Sequence, residues 1–377
     1  MKIIIAPDSF KESMTASEAA QAIYAGFKPI FPTATYELIP LADGGEGFVD
    51  TILNTVPGKI YTYQVMGPRK QSVTAKLAVI EAGKIALLET AAASGLQLCN
   101  GIKDPLTATS YGTGELLKHA LDLGVEHIIL GLGGSATNDG GAGLLQALGA
   151  KFYDRSHYEL PLGGIHLQAL EKIDISALDP RLQTTKITLA SDVASPFIGP
   201  NGASVVFGPQ KGASPNAVLQ LEQALTNFSQ VIKATCGQDI ATTPGAGAAG
   251  GIGGALLAFT NATLTSGVEL AIALTDLEQK ATAADILLTG EGSLDSQTKL
   301  GKTPLGVLRA VRSVSPDCTV IGLAGKVEAV AELHQLGFDA VFSCTPGVIN
   351  LEQALRSGSK HLTQTANEIA HLLQKFV

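Results

Sequence analysis

Several short stretches set carboxylates, hydroxyls and ammonium groups among glycines. Phosphoryl transfer asks for that mixture, because its catalyst mainly positions groups and neutralises charge. In Ala6-Pro7-Asp8-Ser9-Phe10-Lys11 a carboxylate, a hydroxyl and an ammonium fall close together and could hold a hydroxy acid. An ordinary helix-entry loop would use the same residues. Ala42-Asp43-Gly44-Gly45-Glu46-Gly47 places two acids among three glycines, which let backbone approach a ligand closely. The run Gly131–Gly143 reads GLGGSATNDGGAG. Gly133, Gly134, Ser135, Thr137 and Asn138 could converge on a phosphate there, helped by the dipole of the following helix. The run contains GxGxxA, which alone suggests a dinucleotide turn, yet Ser-Ala-Thr-Asn-Asp-Gly-Gly intervenes, a polar insertion that such turns do not need.

Residues 289–304 form another such stretch. Glu291 and Asp295 suit magnesium, Gly290 and Gly292 allow close approach to phosphates, and Lys302 at a helix amino terminus suits a phosphate. The ending Gly301-Lys302-Thr303 resembles the tail of a phosphate loop, but Ser296 stands where a Walker A motif has its first glycine. Asp192 is a lone carboxylate at a strand end, and Lys211 lies between glycines in Phe207–Ala213. Gly245–Gly251 matches GxGxxG with no strand before it, and close helix packing explains it equally well. A nucleophile-elbow hydrolase would show GxSxG. Here no His lies in a comparable glycine-rich loop.

These loops need strands to hold them. Apolar runs alternate with helical patterns, which predicts an α/β fold with mainly parallel strands. KIIIA (2–6) and YELIPL (36–41) read as strands around a helix from about Ser17. Residues 59–90 alternate as an antiparallel meander. Further strands are expected at 127–132, 186–191, 284–290, 318–325 and 339–344, with helices near 112–123, 215–235, 247–259, 304–312, 328–336 and 351–375. The chain ends then make one Rossmann- or flavodoxin-like domain with a parallel sheet (1–60 plus 283–377). A mixed-sheet α/β domain (61–282) is inserted between them.

The chain has 377 residues, 45% hydrophobic and 16% charged, with 42 glycines and a net charge of −8. That is globular composition. With Arg69-Lys70 the longest basic run, no phosphate-backbone partner is expected. Four scattered cysteines suit a reducing compartment. The apolar stretch after Met1 is too short for a signal peptide, and about 18 uninterrupted apolar residues occur nowhere. No nucleic-acid or membrane partner is expected, the location is expected to be cytoplasmic, and a homodimer is allowed.

PDSFK (7–11), ADGGEG (42–47), YGTGE (111–115), GLGGSATNDGGAG (131–143), FGPQKGA (207–213), GAGAAGG (245–251) and TGEG with DSQT, GK and PLGV (289–307) together resemble the bacterial glycerate kinase family. The resemblance runs in order along nearly the whole chain. Ser293 departs from the family's Arg in GEGRxDSQT, and Ser195 from its Asn in DVxNP. If that Arg meets an anion, Lys302 or Lys211 must cover for it here. The resemblance implies magnesium-assisted phosphorylation of D-glycerate by ATP, giving 2-phosphoglycerate or 3-phosphoglycerate, in two α/β domains closing over the substrate. On that reading Asp8, Ser9, Lys11, Asp43 and Glu46 hold glycerate, and the Gly131–Gly143 and Glu291–Lys302 loops hold ATP and magnesium in an interdomain cleft. Asp192 orients or deprotonates the attacking hydroxyl, with Asp139 as the other candidate base. A nicotinamide-dependent oxidoreductase on a hydroxy acid and a non-catalytic nucleotide-binding regulator are the alternatives.

Overall fold

The computed structural model describes residues 1–296, 298 and 302–376. Gln297 and Lys299–Gly301, within a loop expected to bind phosphate, lie outside the described residues. In chain order the strands are β1 (Lys2–Ile5), β2 (Thr35–Leu38), β3 (Gly58–Met66), β4 (Ser72–Ile80), β5 (Ile85–Glu89), β6 (His127–Gly131) and β7 (Lys151–Asp154). They continue with β8 (Leu170–Asp174), β9 (Lys186–Ala190), β10 (Thr263–Thr265), β11 (Ile286–Leu294), β12 (Thr319–Val327) and β13 (Ala340–Ser343).

The chain divides into two compact units. Met1–Asp43, Asp50–Pro57 and Gly267–Val377 make the first, and Gly44–Val49 with Gly58–Ser266 make the second. The segment 267–282, expected in the inserted domain, thus clusters with the first unit.

In the first unit the sheet order is β2-β1-β11-β12-β13, every pair parallel. This is the flavodoxin-type order, drawn from both chain ends as expected, and its direction of winding switches between β1 and β11. Ile3 and Ile5 are fully buried, as a strand covered on both faces requires. Helix Ala16–Phe27 covers one face. Its start is a capping box, with Thr15 accepting from the Glu18 amide and Glu18 accepting from the Thr15 amide at 2.8 Å. Gly26 lets it meet helix Gly358–Leu373, since a Cβ there would lie 2.6 Å from the Thr363 carbonyl oxygen. The closing helix expected over 351–375 is two helices, Leu351–Arg356 and Gly358–Leu373.

In the second unit the sheet order is β10-β9-β6-β5-β4-β3. Strands β3, β4 and β5 form the expected antiparallel meander, and β5, β6, β9 and β10 run parallel. The β7–β8 pair was not anticipated, nor was the short helix Phe48–Leu53, which begins in this unit and ends in the first. The core gathers Leu88, Leu130 and Leu189 from the sheet with Leu116, Phe197, Leu225 and Phe228 above it. Both units present loops at the carboxyl ends of adjacent parallel strands, where α/β proteins place ligands.

Candidate active site

In the first unit the loops after β1 and along β11 flank the switch point. The ladder continues past β1, the Ala6 amide donating to the Leu288 carbonyl at 2.9 Å and the Asp8 amide to that of Gly290 at 2.8 Å. Asp8 is thereby fixed beside the Gly290–Glu291 backbone. A Cβ on Gly290 would meet the Leu323 carbonyl oxygen at 1.8 Å, so this glycine serves strand packing. The Asp8 carboxylate accepts from the Ser9 amide at 2.6 Å and from the Thr303 hydroxyl. Burial, then repulsion from Asp43, lifts it to about 6.

Lys302 stands between two carboxylates, its Nζ 3.4 Å from Glu291 Oε1 and 3.8 Å from Asp295 Oδ1. It precedes helix Thr303–Val314, which has Pro304 in its first turn and no side-chain cap. Burial raises Glu291 to about 7 despite Lys302, and the charge of Asp8 adds to the rise. Glu291 Oε1 is buried with no well-directed hydrogen bond. Such an oxygen, with ionised neighbours disfavouring one another, fits a divalent cation, although no group of three or more His, Cys, Asp or Glu among the described residues is preassembled for one. The Ser293 hydroxyl donates to Asp295 Oδ2 at 3.0 Å, fixing that carboxylate. Lys11 is exposed and attracts both Asp8 and Glu291.

In the second unit, the Gly44–Val49 loop lies over the ends of β5, β6 and β9. The Gly133 amide donates to the Gly44 carbonyl at 3.3 Å, and Gly44 lies against Ala190 at the end of β9. The expected substrate loop therefore divides, with Asp43 beside Asp8 in the first unit and Glu46 held in the second. Gly133 and Gly134 are partly open, whereas Ser135, Thr137 and Asn138 are buried. Asp192 is exposed just beyond β9.

Asp139 is not an open base. It is fully buried and accepts from the Ser110 amide at 2.8 Å, the Ser110 hydroxyl at 2.9 Å, the Gly141 amide at 3.1 Å and the Gly143 amide at 3.3 Å. The following helix is only Ala142–Ala147, and its first amides already serve Asp139. The helix-dipole argument for phosphate at Gly131–Gly143 therefore fails. Lys211 is buried beneath the same loop, Nζ donating to Ser135 Oγ at 2.9 Å and to the Thr137 carbonyl at 2.7 Å. Burial brings its ammonium down to about 7. Gly245–Gly251 packs against this loop, the Gly140 amide donating to the Gly250 carbonyl at 2.9 Å.

A sequence model of the Glycerate kinase family matches residues 3–374. The chain belongs to the glycerate kinase family. It is 47% identical to the glycerate 2-kinase of Escherichia coli K12 over 99% of this chain and 98% of that one. Against the glycerate kinase of Bacillus subtilis 168 the identity is 46%, over 98% and 97%. A crystal structure of a protein assigned as glycerate kinase 2 from Salmonella typhimurium LT2 superposes with a TM-score of 0.86 at 46% identity, covering 100% of this chain and 98% of that one. As a member of the glycerate kinase family the chain is an enzyme, a phosphotransferase.

Within this glycerate kinase family fold, sequence reasoning missed Thr303, Ser110 and Glu89. Thr303 followed a lysine already assigned to phosphate, which drew attention from its hydroxyl. Glu89 could have been found as the acid closing the apolar run KIALLET at a strand end. Ser110 carried no comparable signal.

Proposed function

We propose that this protein transfers the terminal phosphoryl group of ATP to D-glycerate with magnesium, giving 2-phosphoglycerate or 3-phosphoglycerate. The name of the Escherichia coli relative favours the first product. The observation that carries the reading is Lys302, held between Glu291 and Asp295 at the head of an uncapped helix beside the switch point. A cation and helix amides so placed would bind phosphate oxygens and oppose the charge that develops on them.

Glu291 and Asp295, with Asp8 nearby, would hold magnesium, which supplies charge neutralisation at the phosphates when bound. Ser9 and Lys11 follow Asp8 and would meet the glycerate carboxylate and hydroxyls. Asp43 and Glu46 would add acceptors for those hydroxyls. Gly292, where a Cβ would meet nothing nearer than 3.7 Å, would leave backbone room near a phosphate chain. Asp192 is exposed at a strand end whereas Asp139 is buried, so Asp192 would be the base that orients or takes the proton of the attacking hydroxyl. Asp139 and Lys211 shape the Gly131–Gly143 loop from beneath.

Incubation with ATP, magnesium and D-glycerate, followed by phosphorus NMR, tests activity and regiochemistry together. One phosphoglycerate isomer is expected. ATP consumption no higher than without glycerate would sink the reading. Asp192→Ala should abolish turnover while ATP still binds, which a non-catalytic regulator would not show.

A further inference from the structure

Glu89 has no part in the roles above, yet it is a buried carboxylate at the carboxyl end of β5, 5% exposed. Its Oε1 accepts from the Val49 amide at 2.6 Å and its Oε2 from the Gly47 amide at 3.1 Å. These are charge-assisted bonds in a water-poor setting, among the stronger polar contacts a fold offers. They fasten one end of the Gly44–Val49 loop, and the buried side chains of Phe48 and Val49 reinforce them.

The other end is fastened differently. Gly44, at φ +85°, has no room for a Cβ, which would lie 2.7 Å from the Ala190 carbonyl oxygen. A Cβ on Gly131 would lie 2.5 Å from the Gly44 carbonyl oxygen, and one on Gly133 2.4 Å from the Gly45 Cα. Between the two fastenings the Phe48 amide closes a turn onto the Gly45 carbonyl at 3.3 Å. Glu46 is the exposed side chain at the tip, and its Cβ faces the Cβ direction of Gly134 at 3.8 Å.

We propose that Glu89 is a positioning residue of the phosphoryl transfer: its carboxylate sets the Gly44–Val49 loop and so holds Glu46 beside the Gly133–Gly134 backbone. The inference rests on the proposed function for the role of Glu46, but the anchoring itself does not. A side chain placed an ångström off costs far more in rate than in fold stability, so the effect belongs in kinetics.

Glu89→Gln replaces one acceptor oxygen with an amide nitrogen that cannot receive a backbone N–H. With ATP saturating, kcat/KM for D-glycerate should fall at least about tenfold, the KM for ATP should stay within about twofold, and Glu89→Asp should recover much of the loss. Hydrogen exchange of the Gly47 and Val49 amides should quicken in Glu89→Gln and not elsewhere in the second unit. Unchanged glycerate kinetics, or equal losses toward both substrates together with a lower melting temperature, would overturn the proposal. If Glu89→Gln does not fold, Glu89→Asp decides: a smaller loss in kcat/KM for D-glycerate with the KM for ATP unchanged supports the proposal, and kinetics equal to wild type overturn it. Should the wild-type protein leave glycerate untouched, the functional reading falls, and the two amide exchange rates then decide the anchoring by themselves. Equal protection in wild type and variant would refute it.

Discussion

The polar loops of the two units look alike in sequence and differ in what surrounds them. In the first unit Asp8, Glu291, Asp295 and Lys302 are partly open to solvent, and burial with repulsion between carboxylates disfavours the charge on Asp8 and Glu291. In the second unit Asp139, Lys211 and Glu89 are buried and engaged by backbone amides, carbonyls or hydroxyls. Buried charges of that kind persist only when their partners are in place, so they build the loop. Glycine next to an acid or a lysine therefore marks a demanding backbone, and burial decides whether the charge reacts or supports.

The sharpest way to break this contrast is Lys302→Ala. It should lower kcat/KM by roughly 10³-fold, about 4 kcal/mol of transition-state stabilisation. The melting temperature should hardly move, because a partly exposed ion pair contributes about 1 kcal/mol or less. A large loss of stability would put Lys302 with the supporting charges. Asp139→Asn should do the reverse, costing about 3 kcal/mol in urea unfolding of the second unit, since an amide cannot accept from all four donors. If Asp139→Asn keeps its stability and loses only turnover, Asp139 is a base after all.

Gly250→Ala should cost about 2 kcal/mol by the same unfolding measurement. Gly250 holds φ +70°, and its Cβ would lie 2.0 Å from the Thr137 carbonyl oxygen. The smallest effect is one of pH. Lys211 titrates near 7 when folded and at its ordinary 10.5 when unfolded. The unfolded chain thus binds more protons between those values, and stability should rise with pH across that window, by about 1 kcal/mol between pH 7 and 8. Lys211→Met should flatten the rise, and an identical slope in both proteins would remove the buried ammonium as its cause.

Much of this architecture was legible. KIIIA and ADILLTG carry the unbroken apolar runs IIIA and ILL because both faces are covered there, and that pattern announced the parallel sheet. The meander showed itself through alternation in VTAKLAVI. The chemistry was legible only as far as local composition reaches. Asp43 and Glu46 stand three residues apart and read as one loop, yet the chain passes between units inside it. Asp139 read as a base because its partner Ser110 is 29 residues away and carries no motif. Lys211 read as a phosphate ligand because its burial comes from distant segments, which no window of neighbouring residues reports.

The order of strands in the first sheet also bears on how the polypeptide is made. Ile3 pairs with Ile286, so β1 leaves the ribosome long before its inner neighbour exists. At about 5–20 residues per second the wait is roughly 15–60 s. During that interval the segment Gly58–Ser266, nearly the whole of the second unit, emerges and can collapse on its own core. Synthesis thus completes the inserted unit first, while β1 remains without its inner neighbour until residues 286–294 have been made.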